Sequence, residues 1–380
     1  MKKHLLFLTS VLLLSCNSTS EIKTGTSSNY DYDEVEFIKE SDFLTIKEII
    51  PLESAKDILI TEISKLIQHK ERFYILDTRQ RRFFAFSTQG HYDFSLYPLG
   101  SGPNELMEFT DFSLDHANDK IELYSYTEGK KLILELDGTI IGKENFRGTS
   151  WQEVVKFNDE YLIYRTATFK DNIGTGVHRT ENDLNYKSIV DINKAQPTSE
   201  GGIMFNPDFF PNMISSANGV GFIVPPTNLD KTLKMDYYNK EGLTNFLTIE
   251  LNKKWIAGFP VIGNQFQLVH IFPHMEHVNE GLKPYVFFGA NGKMFKAKSY
   301  VNDFYVYPHK FIHINENNQI IAYHNSEELT QIQYSKMMDY FKREDIDIQV
   351  NQTMVDKFEK IKKEVSVNGN PILLVMEVKK

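Results

Sequence analysis

Phe73-Tyr74-Ile75-Leu76-Asp77, then Arg82-Phe83-Phe84-Ala85-Phe86, then Ser87-Thr88-Gln89-Gly90 ahead of Tyr92 to Leu96: here short runs of apolar residues follow one another, divided by turn-forming residues. Aromatic and β-branched residues suit the half-buried pleated surface of a sheet, so each run predicts a strand. The pattern returns downstream. Ile121 to Tyr126 and Lys131 to Leu136 are again strand-like, and Asp137-Gly138 takes the place of Gln89-Gly90. Further turn glycines stand at Gly242 and Gly292. One turn is missing between Gly138 and Gly242. Glu181-Asn182-Asp183, before a strand at Tyr186 to Ile192, is the expected substitute near residue 190. Several short strands per unit and a period of about 50 residues predict the blades of a β-propeller.

A four-stranded antiparallel blade cannot bury both faces alone. Packing blades radially buries them and leaves only short, protected edges. A β-sandwich with long loops is the alternative, but it would not require such regular spacing. Turns near 90, 138, 190, 242 and 292 mark five blades, and His309 to His324 begins a sixth. Two segments are left to complete it: Phe43 to Leu52 at one end, and Ile372 to Val378, introduced by Asn370-Pro371, at the other. The expected fold is all-β, a six-bladed propeller over 43–380.

The sixth blade carries an insertion, about 326–366, that does not read as strand. Asn325-Ser326-Glu327-Glu328 resembles a capped helix start, and Thr353-Met354-Val355-Asp356 starts a second helix. Met354, Phe358, Ile361 and Val365 share one face of it, which predicts packing against the propeller.

At the other end, Met1-Lys2-Lys3 precedes an apolar run from Leu5 to Leu14, too short to span a bilayer. Leu13-Leu14-Ser15-Cys16 follows, and Cys16 is the only cysteine in the chain. The order is that of a secretory signal peptide over 1–15, and the tetrapeptide resembles the lipobox of bacterial lipoproteins. That resemblance implies acylation of Cys16 and a membrane partner reached through lipid. Residues 16–42, rich in Ser, Thr and Asn with acids at Asp31, Asp33, Glu34 and Glu36, read as a flexible tether. The formal net charge of −9 argues against nucleic acid as a partner and against broad attachment to anionic headgroups. The implied location is the outer membrane. Asn17-Ser18-Thr19-Ser20-Glu21 has a single acid, which favours the periplasmic face over the cell surface.

The loop Leu99-Gly100-Ser101-Gly102-Pro103-Asn104-Glu105 and the following Phe109-Thr110-Asp111-Phe112 resemble the signature of six-bladed β-propeller lipoproteins of Bacteroidota. The resemblance extends to the lipobox, the Tyr-Ile-Leu-Asp strand, the late helical insertion and the Asn-Pro-led last strand. It implies an NHL-like propeller that binds rather than catalyses, and supplies no activity. Within the loop, Gly100 and Gly102 permit unusual backbone angles, Pro103 fixes the chain, and Glu105 is expected to accept backbone N–H groups in a blade connector. No Gly-Lys-Ser/Thr follows, so it is not a phosphate loop.

The chain has no G-x-S-x-G elbow, no H-E-x-x-H and no cysteine nucleophile past the lipobox. His270, His274 and His277 form the one metal-like spacing, with Glu276 as acid–base partner if a metal binds. On a strand, His270 and His274 share a face and His277 points away. Turn or surface histidines are therefore the expectation, with no cofactor. The function read from these features is a non-catalytic binding or scaffold module for a glycan or a partner lipoprotein. The alternative is a metal-dependent lyase or lactonase at the mouth of the propeller channel.

Overall fold

In a computed structural model, residues 32–380 are described apart from 56, 98–99, 101, 147–150, 166–174, 181–186, 194–212, 217, 225–231, 251–254, 274–281, 306–308, 332, 344–347, 349 and 366–368. The chain enters through β1 (Tyr32–Lys39), one helical turn α1 (Glu40–Phe43) and β2 (Leu44–Pro51). Antiparallel meanders follow. Blade one is β3 (Lys65–His69), β4 (Arg72–Asp77), β5 (Arg82–Ser87) and β6 (Tyr92–Leu96). Blade two is β7 (Asp111–Asp115), β8 (Lys120–Ser125), β9 (Lys130–Glu135) and β10 (Ile140–Asn145). Blade three is β11 (Trp151–Phe157), β12 (Glu160–Arg165), β13 (Thr175–Thr180) and β14 (Lys187–Asn193). Blade four is β15 (Met213–Ser216), β16 (Gly219–Val224), β17 (Thr232–Asn239) and β18 (Gly242–Glu250). Blade five is β19 (Trp255–Ile262), β20 (Phe266–Pro273), β21 (Tyr285–Ala290) and β22 (Lys293–Val301).

Blade six closes the ring from both ends of the chain. β23 (Lys310–Ile314) and β24 (Ile320–His324) are followed by α2 (Ser326–Gln331), α3 (Tyr334–Arg343) and α4 (Gln352–Glu364). The chain then returns as β25 (Ile372–Val378), which lies between β24 and β2. Ile49 faces Leu374 on one side of β25, and Ala322 faces it on the other. The six-bladed all-β fold with a late helical insertion is the one expected from the repeat. Gly90 and Gly138 occupy the same turn in blades one and two, each at φ +88°, a left-handed conformation that favours glycine. The substitute turn at Glu181-Asn182-Asp183 lies outside the described residues.

Packing follows the blades. Separate hydrophobic clusters fill the seams. Phe83 meets Phe112 edge-on at 5.1 Å between blades one and two, and Ile75, Phe84, Ile321 and Leu373 join blades one and six. Met235, Leu247, Val269 and Phe287 do the same between blades four and five. At that seam a Cβ on Gly221 would lie 1.8 Å from the carbonyl oxygen of Ile262, so only glycine lets the two backbones approach. The helices cover the end of the ring at blades five and six, where Phe358 stacks on Tyr305 with ring centroids 3.8 Å apart. The buried face of α4 is Val355, Phe358 and Ile361, slightly rotated from the one read in sequence, and its cap is Asn351 rather than Thr353.

The tether expected over 16–42 needs correction. Cys16 and residues 1–31 lie outside the described residues, but from Tyr32 onward the segment belongs to the body. β1 pairs in parallel with β22 as a fifth strand of blade five, and Phe37 faces Ser299. The acids that read as solvated linker find lysines there. Glu34 lies 2.8 Å from Lys296 and Glu36 lies 2.7 Å from Lys298. Such charge matching with a strand far along the chain leaves no local signal.

Candidate functional site

That entering segment builds a cavity. Because β1 is registered on β22, the next residue, Glu40, is carried into the interior between blades five and six and is fully buried. A cavity of about 400 Å³ opens there. Its apolar wall is Leu268 and Phe272 of β20, Phe311 of β23, Val301 of β22, and Met337 and Phe341 of α3. Its polar groups are Glu40, His270, Ser299, Tyr300, Asn302, His309 and Lys310. An apolar concavity with a few convergent polar groups is the usual form of a small-molecule site.

The polar end is organised around one imidazole. Asn302 Oδ1 accepts from the N–H of Phe304 at 3.1 Å, which turns its amide nitrogen toward His309 Nδ1, 3.2 Å away. An amide nitrogen only donates, so Nδ1 is the acceptor and His309 carries its proton on Nε2. Nε2 lies 3.2 Å from Glu40 Oε1, close enough for charge–dipole attraction although the pair does not complete a hydrogen bond. Tyr305 Oη is 2.9 Å from His309 Nδ1 and 3.0 Å from His324 Nε2, which extends the network beneath the cavity. Burial raises the Glu40 carboxyl above its ordinary range, against the pull of His309. Burial likewise pushes the Tyr300 hydroxyl well up, with the charge of Glu40 adding to it. Neither Glu40 carboxyl oxygen nor His309 Nε2 completes a hydrogen bond within the described residues, which leaves this close buried pair able to bond a ligand hydroxyl.

Of the sequence candidates, His270 lines this cavity from β20, beside Phe272 with ring centroids 5.9 Å apart. Burial lowers its pKa to about 4, so it is neutral at physiological pH. His274, Glu276 and His277 lie outside the described residues. Glu40, Tyr300 and His309 were not singled out in sequence. Glu40 falls within the segment that reads as tether, and Tyr300 and His309 stand in mixed polar stretches, Ser299-Tyr300-Val301-Asn302 and Pro308-His309-Lys310, that match no motif.

The signature loop lies between β6 and β7. Glu105 folds back on it, with Oε2 accepting from the N–H of Gly102 at 3.1 Å while its own N–H donates to the Gly102 carbonyl at 3.2 Å. A Cβ on Gly102 would lie 2.8 Å from that Oε2, and one on Gly100 2.9 Å. Lys143 of β10 donates to the carbonyls of Gly102 and Glu105. Pro103 sits inside this turn. The loop is thus a hydrogen-bonded junction between blades one and two.

A second polar group lies at the far ends of the first strands. His69 ends β3, His116 follows β7, and Glu316 lies in the turn after β23. Among the described residues these three have the arrangement able to hold a metal ion.

A family model described as a 6-bladed beta-propeller matches residues 18–207, half of the chain. The chain belongs to the DUF5128 family of six-bladed β-propellers. Among solved structures, this DUF5128 propeller is similar to a Bacteroides fragilis protein inferred to be exported. The two are 12% identical with a TM-score of 0.62, over 92% of this chain and 99% of that one. A DUF4221-family protein from Bacteroides vulgatus is 10% identical with a TM-score of 0.44, over 89% and 98% of the two chains. At 12% identity the likeness to the Bacteroides fragilis protein concerns the fold alone. No curated protein matches the DUF5128 chain by sequence.

Proposed function

We propose that this protein is an extracytoplasmic binding module, anchored by lipid on Cys16 to the periplasmic face of the outer membrane, that takes a glycan end into the cavity over Glu40 and His309. The observation that carries the reading is a buried carboxyl–imidazole pair in a chamber that sets polar groups against an aromatic and aliphatic wall. Aromatic faces at Phe272, Phe311 and Phe341 suit the C–H face of a sugar ring, while Glu40, Asn302 and His270 suit its hydroxyls. The volume is at the small end of ligand sites, which favours a terminal ring or two over a long chain. The address rests on the lysine-led apolar run and the lone cysteine that ends it.

A thermal-shift screen of the mature protein against neutral mono- and oligosaccharides tests the reading. At least one sugar is expected to raise the melting midpoint of the wild type and to do so less in Glu40→Gln. A panel that leaves the wild-type midpoint unchanged overturns the glycan assignment.

A further inference from the structure

The first strands of blades six, one and two bring three ligating groups together at the end of the channel opposite the cavity. His69 Nδ1 lies 3.2 Å from His116 Nδ1 and 3.4 Å from Glu316 Oε2, and all three ligand atoms fall within 4.8 Å of one another. Zinc holds nitrogen and oxygen ligands at about 2.0–2.1 Å in a tetrahedron, which places neighbouring ligand atoms roughly 3.3–3.4 Å apart. The two short separations match tetrahedral edges, and the third pair, His116 and Glu316, lies within 4.8 Å.

The side chains are fixed before any ion arrives. Asp119 Oδ1 lies 2.9 Å from His69 Nε2, so that nitrogen donates and Nδ1 is left with its lone pair. Without an ion that lone pair accepts from His116 Nδ1–H at 3.2 Å, and it also faces the Glu316 carboxylate, a repulsive contact that a cation between them would relieve. Lys70 neutralises Asp119 from its far side at 2.5 Å. The His116 turn is set by Asp115 Oδ1, which accepts from the N–H groups of Ala117 and Asn118, each at 3.1 Å. The Glu316 turn is set by Asn315, whose Oδ1 accepts from Gln319 N–H at 2.8 Å. Asn315 Nδ2 donates to Gln68 Oε1 at 2.8 Å, tying this turn to the residue beside His69. Exposure rises from His69, buried, through His116 to Glu316 at the rim, which leaves an entry path and an open side.

We propose that His69, His116 and Glu316 form a binding site for a divalent transition ion, zinc by its donor set, with the fourth position open to water. Two imidazoles and one carboxylate suit zinc over calcium or magnesium, which prefer oxygen. Asp119 serves as the outer carboxylate that orients His69. The site is independent of the cavity and of the proposed glycan.

The test uses mature protein without a histidine tag, equilibrated with zinc, freed of excess ion and analysed for total metal. About one zinc per chain is expected for the wild type, His274→Ala and the cavity variant Leu268→Trp. His69→Ala and His116→Ala should lose it. Glu316→Gln, altered at an exposed side chain, should weaken zinc at least tenfold in chelator competition while melting as the wild type does in chelator. Cobalt in place of zinc should give the intense visible absorption of a tetrahedral site. Metal absent from the wild type overturns the proposal, as does metal retained in both histidine variants. Loss in His274→Ala with retention in His116→Ala would place the ion elsewhere and also overturn it.

Discussion

The ammonium of Lys65 lies 2.8 Å from Asp111 Oδ1, a buried ion pair that joins the first strands of blades one and two. The same ammonium donates to the Val154 carbonyl at 3.0 Å, and Asp111 Oδ2 accepts from Val154 N–H at 2.6 Å, so blade three is held too. Phe112 N–H occupies Oδ1 as well, at 2.7 Å. Burial raises the Asp111 carboxyl, and Lys65 opposes that rise first among its neighbours. At this junction a single buried charge pair and its backbone partners connect the first strands of three blades.

Removing one partner of such a pair leaves the other charge buried, which typically costs about 3–5 kcal/mol. Lys65→Met is expected to lose stability of that order in urea unfolding. The double variant Lys65→Met/Asp111→Asn should be more stable than the sum of the single losses predicts. Strict additivity would show that the pair does not couple the blades.

Ring closure gives a second prediction. β25 is hydrogen-bonded on both edges, so deleting Ile372 to Lys380 strips β24 and β2 of their common partner. The truncated chain should lose cooperative unfolding. A milder probe is Asn370, whose Oδ1 accepts from Ile60 N–H at 2.7 Å and whose Nδ2 donates to the carbonyls of Glu53 and Ile58. Asn370→Ala should cost about 3 kcal/mol by leaving the buried Ile60 N–H and two part-buried carbonyls without their partner. Wild-type melting of the truncated chain would contradict the closure.

A third prediction concerns pH. Asp236 on β17 is buried and accepts from Asn245 Nδ2 at 2.6 Å, and burial pushes its carboxyl up to about 6. The folded state therefore holds this proton more tightly than the unfolded chain does. Its stabilising contribution is complete below about pH 4 and is lost as the pH rises through about 6. A shift of this size corresponds to roughly 3 kcal/mol at most. Asp236→Asn should lose correspondingly less stability than the wild type between acid and neutral pH. Parallel pH profiles for the two proteins would count against it.

The anchor is checked by metabolic labelling. Wild-type protein should incorporate labelled fatty acid, and Cys16→Ala should not, remaining unprocessed or moving to the soluble fraction. An unlabelled wild type would rule out lipid attachment at this residue.

The ring was legible because it repeats. Gly90 and Gly138 mark equivalent turns, and the Phe73 to Phe86 strands recur as Ile121 to Leu134, so each blade reinforces the reading of the next. The signature loop was legible for a related reason: Gly102 and Glu105 are close in sequence, and their hydrogen bonds are local. The candidate sites are built the opposite way. Glu40 meets His309 only because β1 docks on β22, and His69, His116 and Glu316 meet only because three blades converge on one channel. Histidines close in sequence drew attention to His270, His274 and His277, whereas the ring brings together histidines from different blades.

The central claim, that the chamber over Glu40 and His309 is the ligand site, is tested most directly by repeating the saccharide screen on Leu268→Trp, in which the added indole fills the cavity. The account predicts that every sugar-induced rise in melting midpoint seen in the wild type disappears in the variant, while the unliganded variant still unfolds cooperatively. Equal rises in the two proteins would contradict it, because the sugar would then be binding elsewhere.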